Sequence, residues 1–137
     1  MTDAHDQHVT HSYVVVYPAH GPRSSDPHYK DFEAFRARTE ATAKCQFAID
    51  SGVATECLGG LQLHHAHIEW AMLHNVDWQA LERAYPGVSN PDEVGAWVES
   101  AANLVWYCEK HHIGRGGVHD AAAADFEAEK FVRGLIQ

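Results

Sequence analysis

The segment NLVWYCEKHHIGRGGVH, residues 103–119, carries the strongest structural signal in the chain, and a second segment, CLGGLQLHHAHIEW, residues 57–70, is similar in content. Together the two segments hold two of the three cysteines and six of the twelve histidines. Surface histidines have no reason to cluster in this way, whereas a metal site requires thiolate and imidazole ligands close together. The clustering therefore predicts that the two segments meet around bound metal.

Length and composition indicate one folded domain, spanning residues 1–137, in a reducing compartment. With 45% hydrophobic and 21% charged residues, the chain can bury a core and does not have the composition of a disordered protein. It contains no apolar run long enough to cross a membrane and no signal-peptide pattern, so we expect a cytoplasmic location and no membrane partner. In that compartment an odd, low number of cysteines favours metal ligation over disulfides.

The net charge bears on nucleic-acid binding. Ten Lys and Arg residues against 19 Asp and Glu residues give a charge of −9, which weighs against a broad basic surface for nucleic acid. It does not exclude nucleic acid, because a bound divalent cation and a local basic strip can act within an acidic protein. Lys110 and Arg115 lie close to the histidines in sequence and are the candidates for such a strip, where they would contact the substrate.

Local patterns predict a mixed α+β chain. Residues 12–17 are β-branched and aromatic, which favours a strand, and Asp26-Pro27 then predicts the start of a helix that continues through about residue 43. Short apolar pieces separated by Asp-Ser-Gly and Gly-Gly predict a β-hairpin or knuckle that leads into a strand at 61–65.

The region after this strand has helical signals. Residues 66–76 have a helical pattern, Asp77 is placed to cap WQALERAY, and Asn90 followed by Pro91 predicts another helix start. That helix would present one apolar face, formed by Val94, Trp97, Val98 and Ala101. NLVWYCEKHH predicts a strand-like segment that passes into a short helix, and Asp120 is placed to cap a closing helix over 120–135.

The cysteines predict one metal site. Cys108 and His111 are three residues apart, a spacing that lets both reach one tetrahedral ion from a single helical turn. Cys45 and Cys57 would complete a Cys3His site for structural Zn²⁺, with a loop between them bulging outward because the two cysteines are twelve positions apart. The alternative interpretation is three buried apolar cysteines without a metal.

The adjacent pair His64-His65 predicts a second function. Neighbouring side chains on a strand point to opposite faces, so the pair suits two different tasks, such as one metal ligand and one base. Alternatively, the pair consists of two partly exposed strand residues without chemical function.

These motifs resemble those of the HNH endonucleases, the ββα-metal nucleases. The family pattern is a strand ending in (Asp/His)-His, then an Asn, then a helix with the final His, often framed by a zinc knuckle. LQLHH, NLVWYC and CEKHH match it in this order within residues 45–119, and the interval of nine residues from Asn103 to His112 is similar to that of bacterial DNase toxins. A looser resemblance to small phage proteins implies the host-cell cytoplasm.

The resemblance implies a fold and an activity. The fold would be a ββα-metal core with a structural zinc knuckle and a helical insertion over about residues 66–101. An N-terminal strand and helix at 12–43 and a C-terminal helix at 120–135 would flank this core. The implied activity is metal-dependent hydrolysis of DNA, with a homodimer or a phage protein as further partners.

The resemblance also implies roles for single residues. His65 would be the general base that takes a proton from the attacking water, and Asn103 would tie down the loop and help orient His65. His64 and His112 would hold Mg²⁺ or another divalent cation. His119 would be a further ligand of this cation. The alternatives are that Asn103 is only a residue at a helix-to-strand boundary and that His119 has no chemical function.

The chain departs from the family pattern in two respects, of which the missing third ligand, together with the acidic net charge, favours a different function. A third ligand is usual one helical turn after the last histidine, where this chain has Gly116, and the interval from His65 to Asn103 is long. His119 lies beyond the Gly-rich turn and could replace the missing ligand. His67 and Glu69 are further candidates, for which a surface role is the favoured alternative. The alternative function is therefore an inactive HNH scaffold that binds zinc and a protein partner or DNA. A metal-sensing protein with exposed histidines is a further reading.

Overall fold

A two-stranded antiparallel sheet stands at the centre of the α+β fold. The computed structural model describes residues 17–115, 117–120 and 130–133. Strand β1 (Leu61–His65) pairs with β2 (Leu104–Cys108), so that Leu61 faces Cys108 and His65 faces Leu104. The short helix α5 (Glu109–His112) follows β2 directly. The predicted strand at 61–65 and the predicted strand-to-helix passage are both confirmed.

The N-terminal part of the described chain is helical. Helix α1 (Tyr29–Thr39) continues into a 3-10 turn (Glu40–Thr42), which agrees with the predicted end near residue 43. The Asp26 carboxylate accepts a hydrogen bond of 2.9 Å from the His28 N–H. The predicted helix start at Asp26-Pro27 is nevertheless too early, because Pro27 belongs to a turn before the helix and His28 occupies the N-cap position. The predicted strand over 12–17 lies outside the described residues except for Tyr17, which has no regular structure.

The segment between the first two cysteines differs from the prediction. Instead of a hairpin, it contains helix α2 (Gln46–Ser51), which ends where Gly52 adopts a left-handed conformation with φ of 71°. A hydrogen bond of 2.8 Å from the Gln46 side chain to the Asp50 carboxylate stabilises this short helix. Asp-Ser-Gly therefore terminates a helix, and the predicted hairpin was wrong because short apolar runs do not distinguish the two structures.

The chain between the two strands folds into short helices. A 3-10 helix (Trp70–Asn75) precedes α3 (Trp78–Ala84), and a 3-10 turn (Pro91–Glu93) leads into α4 (Val94–Val98). Both predicted caps are confirmed, since Asp77 accepts from two backbone N–H groups and Asn90 from one. The expected apolar face stops early, because α4 ends at Val98 and Ala101 is exposed.

The hydrophobic core lies among these short helices and the described C-terminal residues. Its members include Ile68, Met72, Val76, Leu81, Val88, Val94, Trp97, Val98, Phe131 and Val132. No helix within the described ranges is both long and apolar enough to cross a membrane.

The described C-terminal residues correct the predicted closing helix. Residues 130–133 do not continue a helix over 120–135, because Val132 forms an antiparallel bridge with Val76. The Phe131 carbonyl accepts from the Asp77 N–H at 2.8 Å, and Phe131 and Val132 are both buried. Burial of these two side chains outweighs helical propensity here. Residues 121–129 and 134–135 of the prediction lie outside the described residues.

Candidate metal centres

Three thiols and one imidazole converge at one end of the two-stranded sheet. The ligand atoms of Cys45, Cys57, Cys108 and His111 all lie within 4.8 Å of one another. His111 Nδ1 is 3.5, 3.7 and 3.1 Å from the sulfur atoms of Cys45, Cys57 and Cys108, respectively. Four such donors can surround a tetrahedral ion, so this buried Cys3His cluster can hold a metal and is compatible with structural zinc.

Backbone hydrogen bonds hold the segment after Cys57 against the start of α5. The Glu109 N–H donates to the Gly60 carbonyl at 3.0 Å, and the Lys110 N–H donates to the Leu58 carbonyl at 3.1 Å. Gly59 adopts a φ of +80°, and a Cβ at this position would lie 2.5 Å from the Cβ of Glu109. Glycine is therefore required for the segment after Cys57 to approach α5 this closely.

Two of the thiols, those of Cys57 and Cys108, have pKa values shifted in opposite directions. Burial opposes ionisation of Cys108, but hydrogen bonds from the backbone of His111 and Leu58 lower its pKa to about 6. Burial, together with hydrogen bonds and negative charge from Cys108 and Cys45, raises the pKa of Cys57 to about 11. Three crowded thiolates thus repel one another, and a divalent cation would offset that repulsion when all three deprotonate as ligands.

A second cluster consists of three imidazoles. The ligand atoms of His64, His112 and His119 lie within 4.8 Å of one another. His112 Nε2 is 3.2 Å from His64 Nδ1 and 3.1 Å from His119 Nε2. The chain therefore brings His119 beside His64 and His112, although it lies seven positions after His112 in the sequence.

A hydrogen bond fixes the tautomer of the central imidazole. His112 Nδ1 lies 2.7 Å from Gln62 Oε1, a carbonyl oxygen that accepts, so Nδ1 carries the proton. The Nε2 lone pair of His112 is then directed at His64 and His119. Such a partner behind a histidine is typical of metal ligands, and sequence reasoning missed Gln62 although it lies two residues before His64 on the same strand face.

Burial favours the neutral form of two of these imidazoles, His64 and His112. Burial, followed by the positive charges of His119, His112 and His65, lowers the pKa of His64 to about 4, against an opposing effect of Glu69. Burial and His119 also lower the pKa of His112. Neutral imidazole is the form that ligates a metal, so the donor set fits a divalent cation.

His65 lies apart from this cluster, on the opposite face of β1. Its ring stacks on Phe32 with centroids 5.5 Å apart, and its side chain is only 8% exposed. His65 Nε2 is 2.8 Å from a Glu99 carboxylate oxygen, and Nδ1 is 3.4 Å from a Glu69 carboxylate oxygen. Burial lowers the pKa of His65, but the hydrogen bonds to Glu69 and Glu99 outweigh it and the net shift is upward. Both ring nitrogens thus face carboxylates.

Glu99 and Arg23 support His65 from behind. The Glu99 side chain is fully buried, and its second oxygen is 2.5 Å from Arg23 Nη1. The Arg23 guanidinium lies 5.0 Å from the ring centroids of Tyr29, Phe32 and Trp70. Sequence reasoning missed both residues, since no local pattern relates them to the histidines.

Glu69 was a further candidate for which a surface role was favoured, and the structure instead places it half-buried. Its side chain is 27% exposed and faces His65. Burial raises the pKa of Glu69, but the hydrogen bond and charge of His65, with the charges of His64 and His119, give a net lowering. His67 is also half-buried and packs against the Tyr85 ring, with centroids 4.3 Å apart.

Asn103 connects the two sides of the site and is fully buried. Its Oδ1 accepts from the His67 and Ile68 N–H groups at 2.9 and 3.0 Å. Its Nδ2 donates to the Ile68 and Val98 carbonyls, both at 2.8 Å. These bonds tie the loop after β1 to the end of α4.

The two candidate basic residues lie on or just after α5. Lys110 is half-buried and Arg115 is exposed. Their expected contact with substrate stays a prediction.

Comparisons of the chain with family models, with curated proteins and with solved structures find no match. The functional argument therefore rests on these residues and their geometry.

Proposed function

We propose that this protein is a metal-dependent endonuclease of the ββα-metal (HNH) type that hydrolyses phosphodiester bonds in DNA. The observation that carries the proposal is the convergence of His64, His112 and His119. These residues belong to the same unit of β1, β2 and α5 that contributes to the Cys3His cluster. Two antiparallel strands followed by a helix give the order β1, β2, α5, which is the order of the family motif.

The chain's own residues prepare the site for substrate. His64, His112 and His119 would hold Mg²⁺ or another divalent cation, with Gln62 fixing the tautomer of His112. When bound, this ion would stabilise negative charge on the scissile phosphate and on the leaving oxygen. The thiols and His111 would hold Zn²⁺ as a structural ion.

The group that takes the proton of the attacking water would lie on the side of the site that holds His65. His65 is the expected general base, and Glu69, Glu99 and the stacked Phe32 ring hold its imidazole in place. Asn103 fixes the loop that begins directly after His65.

DNA is the proposed partner, and Lys110 and Arg115 would contact its backbone. A net charge of −9 means that the rest of the surface contributes little attraction. Double-strand cleavage would require two active sites, which a homodimer would provide. The proposed location is the cytoplasm, that of the host cell if a phage encodes the protein.

Cleavage of supercoiled plasmid by the purified protein tests the proposal. We expect nicked product with at least one of Mg²⁺, Mn²⁺, Ni²⁺ or Zn²⁺ and none with a chelator. His112→Ala should lower the rate by about 100-fold or more, because loss of a partner behind a ligand alone costs about 10–100-fold. His74→Ala, an exposed histidine outside the cluster, is the matched control and should cleave normally.

A specific observation favours a second candidate, a zinc-stabilised binding protein without activity. Among the described residues, six of the seven exposed large hydrophobic side chains lie around the knuckle: Phe47, Ile49, Val53, Leu58, Leu61 and Ile113. Exposed apolar clusters of this kind are typical of protein interaction sites. This candidate predicts one tightly bound zinc per chain and no cleavage with any of the four ions.

A further inference from the structure

We infer that a second copy of this chain binds the apolar surface around the Cys3His cluster, so that two chains form a homodimer through this surface. The surface consists of six exposed side chains: Phe47, Ile49, Val53, Leu58, Leu61 and Ile113. The inference goes beyond the proposed function, because it concerns assembly and holds whether or not the protein cleaves DNA. The exposure of these side chains, the shape of the surface and the distribution of charge carry it.

The apolar side chains are exposed to a large extent. Leu58, Ile113 and Ile49 are 65%, 58% and 56% exposed, although each is a large aliphatic residue. A single exposed apolar side chain is ordinary on a protein surface, whereas a contiguous group of them marks an interaction site. The question is therefore whether these side chains lie together, and what covers them.

Two grooves join the apolar side chains into one surface. Ile49 and Leu61 line the first groove, between α2 and the start of β1, and Leu58 and Ile113 line the second, beside α5. Gly59 lines both grooves, so the two lie next to each other. A concave apolar surface of this kind can receive the protruding side chains of a protein partner.

The distribution of charge identifies the partner. The two segments that carry the surface, residues 44–61 and 108–115, contain three basic and three acidic residues, so the whole net charge of −9 lies outside them. Two copies of an acidic chain repel each other over most of their surface, but they can meet here without net repulsion. A site for DNA, or for a strongly acidic or basic protein, would instead carry a net charge of the opposite sign.

Lys44 and Glu109 are placed to pair across such a contact. Lys44 lines the first groove and Glu109 the second, and neither forms an ion pair with another described residue. A Cβ at Gly59 would lie 2.6 Å from Glu109 Oε2, so this carboxylate lies where the two grooves meet. In a twofold contact the same surface faces itself, so Lys44 of each copy can approach Glu109 of the other. Neither Lys110 nor Arg115 is required for this pairing.

Sedimentation equilibrium of the purified protein, with Zn²⁺ and without DNA, tests the inference. We expect twice the mass of one chain at micromolar concentrations. Leu58→Asp should raise the Kd of the dimer by about tenfold or more, because association would then bury an unpaired charge. Tyr17→Asp is the matched control and should leave the Kd unchanged, since Tyr17 is 51% exposed but lies outside the apolar surface. Equal zinc content in the two variants shows that the Cys3His cluster is intact in both.

Two results of this measurement would overturn the inference. One is the mass of a single chain at about 100 μM, because interfaces of standard size associate at micromolar or lower concentrations. The surface would then be left to a different protein or to other residues of the same chain. The other is a dimer whose Kd is the same in Leu58→Asp, since the two copies would then meet at a different surface.

Zero-length cross-linking of the unmodified protein tests the same contact without relying on a variant that folds. In an equal mixture of ¹⁴N-labelled and ¹⁵N-labelled chains, mass spectrometry separates links between copies from links within one copy. We expect mixed-isotope links between Lys44 and Glu109. Mixed-isotope links that join only residues outside segments 44–61 and 108–115 would overturn the inference.

The outcomes for assembly and for cleavage are distinguishable. A dimer that cleaves no DNA would contradict the proposed function and leave this inference standing. A monomer that cleaves DNA would contradict this inference and leave the proposed function standing.

Discussion

Asn103 shows how one buried polar residue fixes the geometry of a site. Its amide makes four hydrogen bonds to backbone groups of three residues, and none of its surface is exposed. A buried amide with all partners in place costs little, whereas removal of it would leave several backbone groups unpaired. Asn103 therefore acts as a structural connection between the strand that carries His65 and the helix that precedes Glu99.

Glu99 is the residue whose replacement should show a pH-dependent cost. Burial raises its pKa, but the hydrogen bonds from His65 and Arg23 give a net lowering from 4.5, while the pKa of His65 rises from 6.5. The lowered carboxyl pKa stabilises the fold above about pH 4.5, and this contribution is lost as the pH falls. The raised imidazole pKa stabilises it below about pH 6.5, and this contribution is lost as the pH rises through the folded value.

Both contributions are present between about pH 5 and 6. Glu99→Gln should therefore lower the free energy of unfolding by about 3–5 kcal/mol at pH 5.5, as expected for breaking a buried pair, and by less at pH 8.5. Urea unfolding at the two pH values measures the difference. The control Glu33→Gln, at a partly exposed carboxylate on α1, should show almost none. A larger loss at pH 8.5 than at pH 5.5 would contradict the assigned ion pair.

The two-stranded sheet is the element whose contacts the sequence predicted best. Strand alternation placed His64 and His65 on opposite faces, and the register of β1 against β2 brings His64 to the α5 side. The spacing of Cys108 and His111 likewise predicted their convergence, because a short helical turn is a local structure.

The environment of His65 could not be predicted from local patterns. Its partner Glu99 is 34 residues away in sequence, and Arg23 comes from a 3-10 turn before α1. Tertiary contacts of this kind depend on how helices pack, which periodicity does not specify. The same reason explains the error at Glu69, since its burial follows from packing against His65.

The elements joined at the Cys3His cluster should depend on bound metal for their stability. Zinc at a thousandfold excess over its dissociation constant would stabilise the folded chain by about 4 kcal/mol. For a chain of this length that corresponds to a Tm higher by about 8–16 °C. A strong chelator should lower the Tm by this amount, as followed by circular dichroism.

Cys108→Ser is the control for this effect. Because the variant lacks one thiolate, we expect it to melt at the lower temperature with or without chelator. A Tm of the unmodified protein that does not change on chelation would contradict a structural ion at the knuckle.

At the scale of the whole molecule, the helical region between the strands serves the site as well as the core. Residues 66–101 contribute Glu69 and Glu99 to the surroundings of His65, while Ile68, Met72 and Val98 from the same region pack in the core. The segment that lengthens the interval from His65 to Asn103 thus supplies both carboxylates. The described C-terminal residues close this core through Phe131 and Val132.

Two metal centres on the unit formed by β1, β2 and α5 are the basis of the proposed activity. Anomalous X-ray diffraction at the zinc and manganese absorption edges, from crystals grown with both ions, tests them most directly. We predict two peaks per chain, one at about 2.3 Å from the sulfur atoms of Cys45, Cys57 and Cys108, and one among the ring nitrogens of His64, His112 and His119. A chain with no peak among the three imidazoles, or with sulfur atoms that share no common ion, would contradict the account.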